Sequence, residues 1–376
     1  MIEATTIDDK VDAIATEVVR AGAGVVDETG EYPRAALASL RSAGVLGLIS
    51  ATEVGGLGEG PAAAARVVER LARECASTAM VLCMHYAATA VIEAHGPIAV
   101  RERIATGEHL STLAFSEVGS RAQFWAPLSA AETAGDHIAL TARKSWVTSA
   151  AEADSYVWSS RPVAADGLST LWLVPATAPG LHVRGAFDGL GLRGNGSTPI
   201  DADAVAVAAD AMLGSDGGGF DVMLGTVLPI FLLMGAGASV GLSDAAAAAA
   251  AAHAASTRFE HLDQSLAEQP VTRSSLGAMR VRADAARALW SGALEEAESG
   301  RETAALRALE AKAAASEAAI TVTDAAMRVC GGAAFRREVA VERHFRDARA
   351  AAVMAPTTEM LHDLIGRAVT GQPLFG

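Results

Sequence analysis

The sequence predicts an α+β protein built in three parts: helical, then β-rich, then helical again. Three observations carry that prediction. Apolar residues recur at helical spacing near the start, short β-prone runs broken by Gly, Asp and Pro fill the middle, and long alanine-rich stretches close the chain. The 376 residues are 51% hydrophobic, which allows a large core and suggests two or three domains.

Residues 1–111 read as helices. Val11, Ile14, Val18 and Val19 share one face, as do Val67, Val68 and Leu71. Pro33 stands where a first-turn proline would, Gly44 where a helix would stop, and Gly55-Gly56-Leu57-Gly58 reads as a turn. Residues 112–213 form the β part. Its runs are Leu113–Phe115, His137–Leu140, Ser155–Ser159, Leu171–Val174 and Leu181–Val183, with turns at Gly135-Asp136, Pro179-Gly180 and Asp188-Gly189. Gly217-Gly218-Gly219 then serves as a hinge into a second helical part, 214–376.

Within that last part, Gly219 to Leu242 carries one charge, Asp221, and has the length of a membrane span. Pro229 interrupts it, and no aromatic belt or Lys/Arg flank frames it. A core helix of a large helical domain is the expectation. Ala245–Ala252 reads as helix too, alanine being the strongest helix former.

A formal net charge of −14 argues against nucleic-acid binding through a basic surface and against an anionic membrane as partner. Cys75, Cys83 and Cys330 have no metal-ligand spacing, and three thiols suggest a reducing compartment. The start, MIEATTIDDK, is acidic and polar, so no secretory signal is expected and the cytoplasm is the expected location.

Four segments carry the chemistry. Lys144-Ser145-Trp146-Val147-Thr148 places an aromatic and a hydroxyl two apart, hence on one face of a strand. Ala114-Phe115-Ser116-Glu117-Val118-Gly119-Ser120 is a polar loop. Arg258 follows the long apolar helix. Cys330-Gly331-Gly332 leads through Arg346-Asp347-Ala348-Arg349 to Ala355-Pro356-Thr357-Thr358-Glu359, where Pro356 can fill a first helical turn and Thr357 or Thr358 can supply a capping oxygen. Leu361, Leu364, Ile365 and Ala368 would form the buried stripe of that last helix. Each segment taken alone also reads as ordinary structure: a strand Trp over a core, a β-turn, a surface arginine, a capped helix.

Together they resemble the acyl-CoA dehydrogenase family over nearly the whole chain. The resemblance implies a helical N-terminal domain, a β-barrel-like or β-sandwich middle domain and a C-terminal four-helix bundle. It also implies a flavin, with Ser116, Trp146 and Thr148 at its ring system. Arg258, Gly331, Gly332 and Thr357 would lie toward the pyrophosphate. The last group favours FAD over FMN, and because that contact crosses subunits in the family, a homotetramer or homodimer is expected. Two departures stand out. The loop after Ser116 is shorter than the family pattern, with Val118 for Pro and Arg121 for Asp. The slot of the family's catalytic glutamate holds Ala355, and the alternative slot of a minority of members holds Phe231 followed by Leu232.

A base must lie within hydrogen-bond reach of the proton it removes, and alanine cannot serve. Glu359, four residues on, is a weak substitute, since a glutamate there also suits the helix dipole. Losing the acid leaves a more apolar pocket, which protects reactive intermediates from water. Some relatives of the family work as monooxygenases supplied with reduced flavin by a separate reductase. The lead expectation is therefore a flavin-dependent monooxygenase acting on a small organic substrate. The alternatives are an acyl-CoA dehydrogenase with a relocated base and a non-catalytic flavin-binding or assembly protein.

Overall fold

The computed structural model describes residues 6–375; residues 1–5, half of the acidic start, and Gly376 lie outside them. The chain enters α1 (Ile7–Ile14) through a capping box in which the Thr6 hydroxyl accepts from the Asp9 amide and the Asp9 carboxylate accepts in return. One wide turn links it to α2 (Arg20–Thr29), which Gly30 ends at φ +70°. α3 (Arg34–Ser42) begins directly after Pro33, which is its N-cap rather than a first-turn residue, while Gly44 at φ +80° follows its end as the sequence suggests. α4 (Pro61–Ala72), α5 (Ala76–His95) and α6 (Ile98–Ala105) complete the first unit. The middle of α5 is buried on every side, which explains its lack of an apolar stripe.

The middle unit contains β1 (Ser111–Ala114), β2 (Ala130–Ala134), β3 (His137–Val147), β4 (Ser155–Ser160), β5 (Thr170–Pro175), β6 (Leu181–Val183), β7 (Thr198–Ala208) and β8 (Met212–Leu213). They form two four-stranded sheets, ordered β1-β4-β5-β8 and β2-β3-β7-β6. Only β1 pairs with β4 in parallel; the other pairs are antiparallel. Ile138, Leu140, Val205 and Val207 of one sheet meet Tyr156, Trp158, Trp172 and Val174 of the other in a shared core, so the unit is a β-sandwich. β7 escaped the sequence reading because ThrProIleAspAlaAspAla is poor in the residues that favour strands. Its pairing with β3 and burial of Ile200, Ala202 and Val205 override that weakness.

The third unit opens with α7 (Gly219–Val222) and continues as α8 (Leu228–Ser256). Pro229 does not end this helix. The π turn Met223–Val227 stands just before it, and Pro229 occupies the first turn of α8, where its missing N–H and bulky ring are tolerated. After the short hairpin β9 (Arg258–Phe259) and β10 (Gln264–Ser265) come α9 (Pro270–Glu298), α10 (Ala304–Cys330), α11 (Val341–Val353) and α12 (Thr358–Val369).

α8 is the axis of the molecule, packed by α4, α5, α9, α10 and α11. Its glycines make that possible: a Cβ on Gly241 would lie 2.4 Å from the Glu69 carbonyl oxygen of α4. Two helical stretches, Ala76–His95 and Gly219–Ser256, are long and apolar enough to cross a membrane. Most of each apolar window is buried inside the protein, as a core helix requires.

Candidate active site

The middle domain brings Ser116 and Trp146 to neighbouring strands of backbone. Ser145 donates its amide to the Ser116 carbonyl at 2.9 Å, and Glu117 bridges to Lys144. The two-residue alternation expected of Trp146 and Thr148 does not hold. Pairing of β3 with β7 slips between Lys144 and Val147, and Trp146 sits at φ +55°, a conformation that a bulky residue rarely adopts. The bulge leaves Trp146 68% exposed, edge-on to Phe187 at 6.4 Å. Thr148 is buried, its hydroxyl 3.0 Å from that of Ser197.

Beneath this shelf lies a buried ion pair that the sequence reading did not assign. Lys144 is fully buried; its ammonium donates to Glu117 at 2.6 Å and to the Ser159 carbonyl and hydroxyl at 2.7 and 2.9 Å. The Glu117 carboxylate also accepts from the Leu128 and Ser129 amides and the Ser129 hydroxyl. Burial raises the Glu117 pKa, but Lys144 and these donors outweigh it and hold the carboxyl below its ordinary value. Glu117 is therefore a charged anchor for the 117–129 loop, not a free base.

The position of the missing glutamate lies in the linker between α11 and α12. Ala355 precedes Pro356 through a cis peptide bond. Pro356 stands outside α12 rather than in its first turn; Thr357 is the N-cap, its hydroxyl accepting from the Met360 amide at 3.4 Å, while the buried Thr358 hydroxyl has no partner among the described residues. Glu359 is exposed on the helix surface. On α8, Phe231 and Leu232 are buried and apolar. The one carboxylate of that helix, Asp244, accepts from Arg280 and Arg287. No unpaired acid therefore stands at either position. His85 and His344 are buried; burial lowers the His85 pKa to about 4, against hydrogen bonds to the Leu46 and Ser111 carbonyls.

Models of the acyl-CoA dehydrogenase N-terminal, middle and C-terminal domains match residues 2–107, 112–205 and 217–370. The chain belongs to the acyl-CoA dehydrogenase family. Relatives include the mitochondrial short-chain specific acyl-CoA dehydrogenase of Homo sapiens, 28% identical over 90% of this chain and 83% of that one. Cyclohex-1-ene-1-carbonyl-CoA dehydrogenase of Geobacter metallireducens is 27% identical over 96% of both chains. The butyryl-CoA dehydrogenase structure from Megasphaera elsdenii superposes with a TM-score of 0.89 at 23% identity, covering 98% of this chain and all of that one. This acyl-CoA dehydrogenase-family chain is accordingly an oxidoreductase on a flavin-binding fold.

The C-terminal residues of the family pattern lie apart from the middle-domain shelf in sequence and element. Arg258 turns onto its own hairpin, donating to the Asp263 carbonyl and carboxylate at 2.8 and 2.6 Å. Gly331 ends α10 at φ +55°, which explains glycine there, and a Cβ on either Gly331 or Gly332 would meet open space rather than a close backbone. Arg346 pairs with Asp27 of α2, and the next residue, Asp347, accepts the Leu192 amide at 2.6 Å. The tract thus fastens α11 to both other domains.

Asp347 is buried, and burial pushes its pKa up to about 6, helped by Asp27 and opposed by the Leu192 amide, Arg343 and Arg346. A carboxyl raised in the folded state binds its proton more tightly there than in the unfolded chain. Its contribution to stability is then full below the unfolded value near 4 and lost as pH rises to about 6. Asp347→Asn should remove that slope, worth up to about 3 kcal/mol. The check is the unfolding free energy of both proteins at pH 4.5 and 7. An identical pH dependence in the two would refute it.

Proposed function

We propose that this chain is an FAD-dependent oxidoreductase acting on a small organic substrate without a carboxylate base, in the oxygen-using, monooxygenase manner. The observation that carries this reading is the pair of apolar residues, Ala355 and Phe231, at the two positions where the family places its base. Glu117 is committed to Lys144, and Glu359 is exposed, so neither takes over in an obvious way.

FAD, when bound, would supply two-electron redox chemistry and reaction with O₂. The rest falls to the protein. Trp146, Ser116 and Thr148 would hold the ring system, and the exposed, positive-φ setting of Trp146 supports this, because a large apolar surface in a costly conformation calls for a planar partner. Arg258, Gly331, Gly332 and Thr357 would meet the pyrophosphate in the family's manner, across a homodimer or homotetramer boundary. Exposed Phe335 and Val353 on the C-terminal helices favour such an assembly. The apolar wall at Phe231 and Ala355 would exclude water from the reacting atoms. A separate reductase would supply the electrons.

Trp146→Ala should leave stability within about 0.5 kcal/mol, since the ring is mostly exposed. It should weaken FAD binding by roughly three- to tenfold, the range of one aromatic contact. Titration of apoprotein with FAD, followed by flavin fluorescence, checks both the binding and its loss.

The relatives favour a second reading more directly than the first: those named above are acyl-CoA dehydrogenases. On that reading the chain oxidises an acyl thioester, with its base relocated, Glu359 in the first turn of α12 being the candidate. Two rapid-mixing measurements separate the readings. Reduced holoprotein mixed with O₂ should pass through a lasting near-ultraviolet transient before the oxidised flavin spectrum returns. Oxidised holoprotein mixed anaerobically with straight-chain acyl-CoA thioesters should keep its visible band. Bleaching by an acyl-CoA, lost in Glu359→Gln, would establish the dehydrogenase instead.

A further inference from the structure

Lys312 of α10 is 1% exposed, yet among the described residues no carboxylate pairs with its ammonium. It donates instead to two backbone carbonyls, Pro356 at 2.8 Å and Met354 at 3.3 Å. Those oxygens belong to the residues on either side of Ala355. The aliphatic stem of Lys312 runs past Gly235 of α8, where a Cβ would lie 3.6 Å from Lys312 Cε. Gly235 is one helical turn beyond Phe231 on the same face. One buried lysine thus touches both the linker that carries Ala355 and the helix that carries Phe231.

A buried ammonium held only by carbonyls is costly, because carbonyl dipoles replace water but do not neutralise the charge. Burial accordingly draws its pKa down to about 8, with only Cys83 opposing. A methionine would pack in the same space at lower cost. The amine must therefore contribute something other than stability. The linker shows what that is. Residues Met354–Pro356 have no regular structure, the Thr357 cap is long at 3.4 Å, and the Thr358 hydroxyl is unpaired. Lys312 supplies the strongest side-chain hold on the segment.

We propose that Lys312 is a positioning residue that clamps the linker around Ala355 through the two flanking carbonyls and so fixes one wall of the reaction cleft. This deepens the functional reading above, which places residue 355 at the cleft, but the clamp itself can be tested without flavin.

The test compares Lys312→Met and Lys312→Arg with the parent protein by amide hydrogen exchange on apoprotein. In Lys312→Met, the thermal midpoint should hold or rise, while amides in 353–358 exchange at least tenfold faster and those in the middle of α9 do not change. Lys312→Arg, which keeps donors for both carbonyls, should restore part of the protection. With FAD bound, the visible spectrum of Lys312→Met should shift relative to the parent. Unchanged exchange in 353–358, or acceleration spread evenly over the molecule with a fallen midpoint, would overturn the clamp. If the clamp is found by exchange but FAD does not bind the parent protein, the functional reading fails and the clamp stands.

Discussion

Lys144→Met should cost the protein about 3–5 kcal/mol, the expected penalty for removing one partner of a buried ion pair. The mechanism is the charge left behind. Glu117 would keep its hydrogen bonds from Leu128, Ser129 and the Ser129 hydroxyl but lose the ammonium that offsets its burial. It must then stay charged without a counter-ion or take up a proton and give up acceptor capacity. The Ser159 carbonyl and hydroxyl lose a donor as well. Because Glu117 and Lys144 join the 117–129 loop to β3 immediately before Trp146, flavin affinity should fall with stability. A denaturant series on Lys144→Met, Glu117→Gln and the double variant reads the coupling directly. The double variant should be more stable than Lys144→Met alone, since removing both charges removes the orphan. Additive losses in the three variants would mean that the pair is not coupled.

That pair also marks the limit of what the sequence discloses. Ile138, Leu140 and Ala142 alternate inward along β3, and Lys144 falls on the same buried face. Its burial was legible from the alternation; its partner was not, because Glu117 lies 27 residues away in a loop. Lys312 gave a similar signal, one turn beyond Ala308 and three residues after Leu309 on the buried stripe of α10. The three-part fold was readable because long periodic helices and punctuated strands announce themselves locally. Trp146 was misread for a local reason as well. Alternation assumes an unbroken strand, and the slip between Lys144 and Val147 is set by pairing with β7, a strand whose own composition conceals it. Pro356 follows the same rule: the chain places it before the cap because Thr357, not Thr358, turns its oxygen to the free amides of α12.

Ala355→Glu should convert the cleft, and it separates the two functional readings more sharply than any loss-of-function change. A carboxylate at this position restores a base where the family carries one, on a linker already held by Lys312. General-base assistance is worth roughly 10²–10⁴ in rate. If the parent lacks a base, anaerobic bleaching of bound flavin by butyryl-CoA should rise by at least about 10²-fold in the variant. The same carboxyl should shorten the near-ultraviolet transient seen with O₂, because a charged group that draws in water replaces an apolar one at position 355. The two rates should thus move in opposite directions. A parent with a relocated base behaves otherwise: it already bleaches with acyl-CoA, so a second carboxylate at position 355 adds little rate. The nearby ammonium of Lys312 favours the charged form of a new glutamate, so the introduced carboxyl should be ionised at neutral pH and ready to accept a proton.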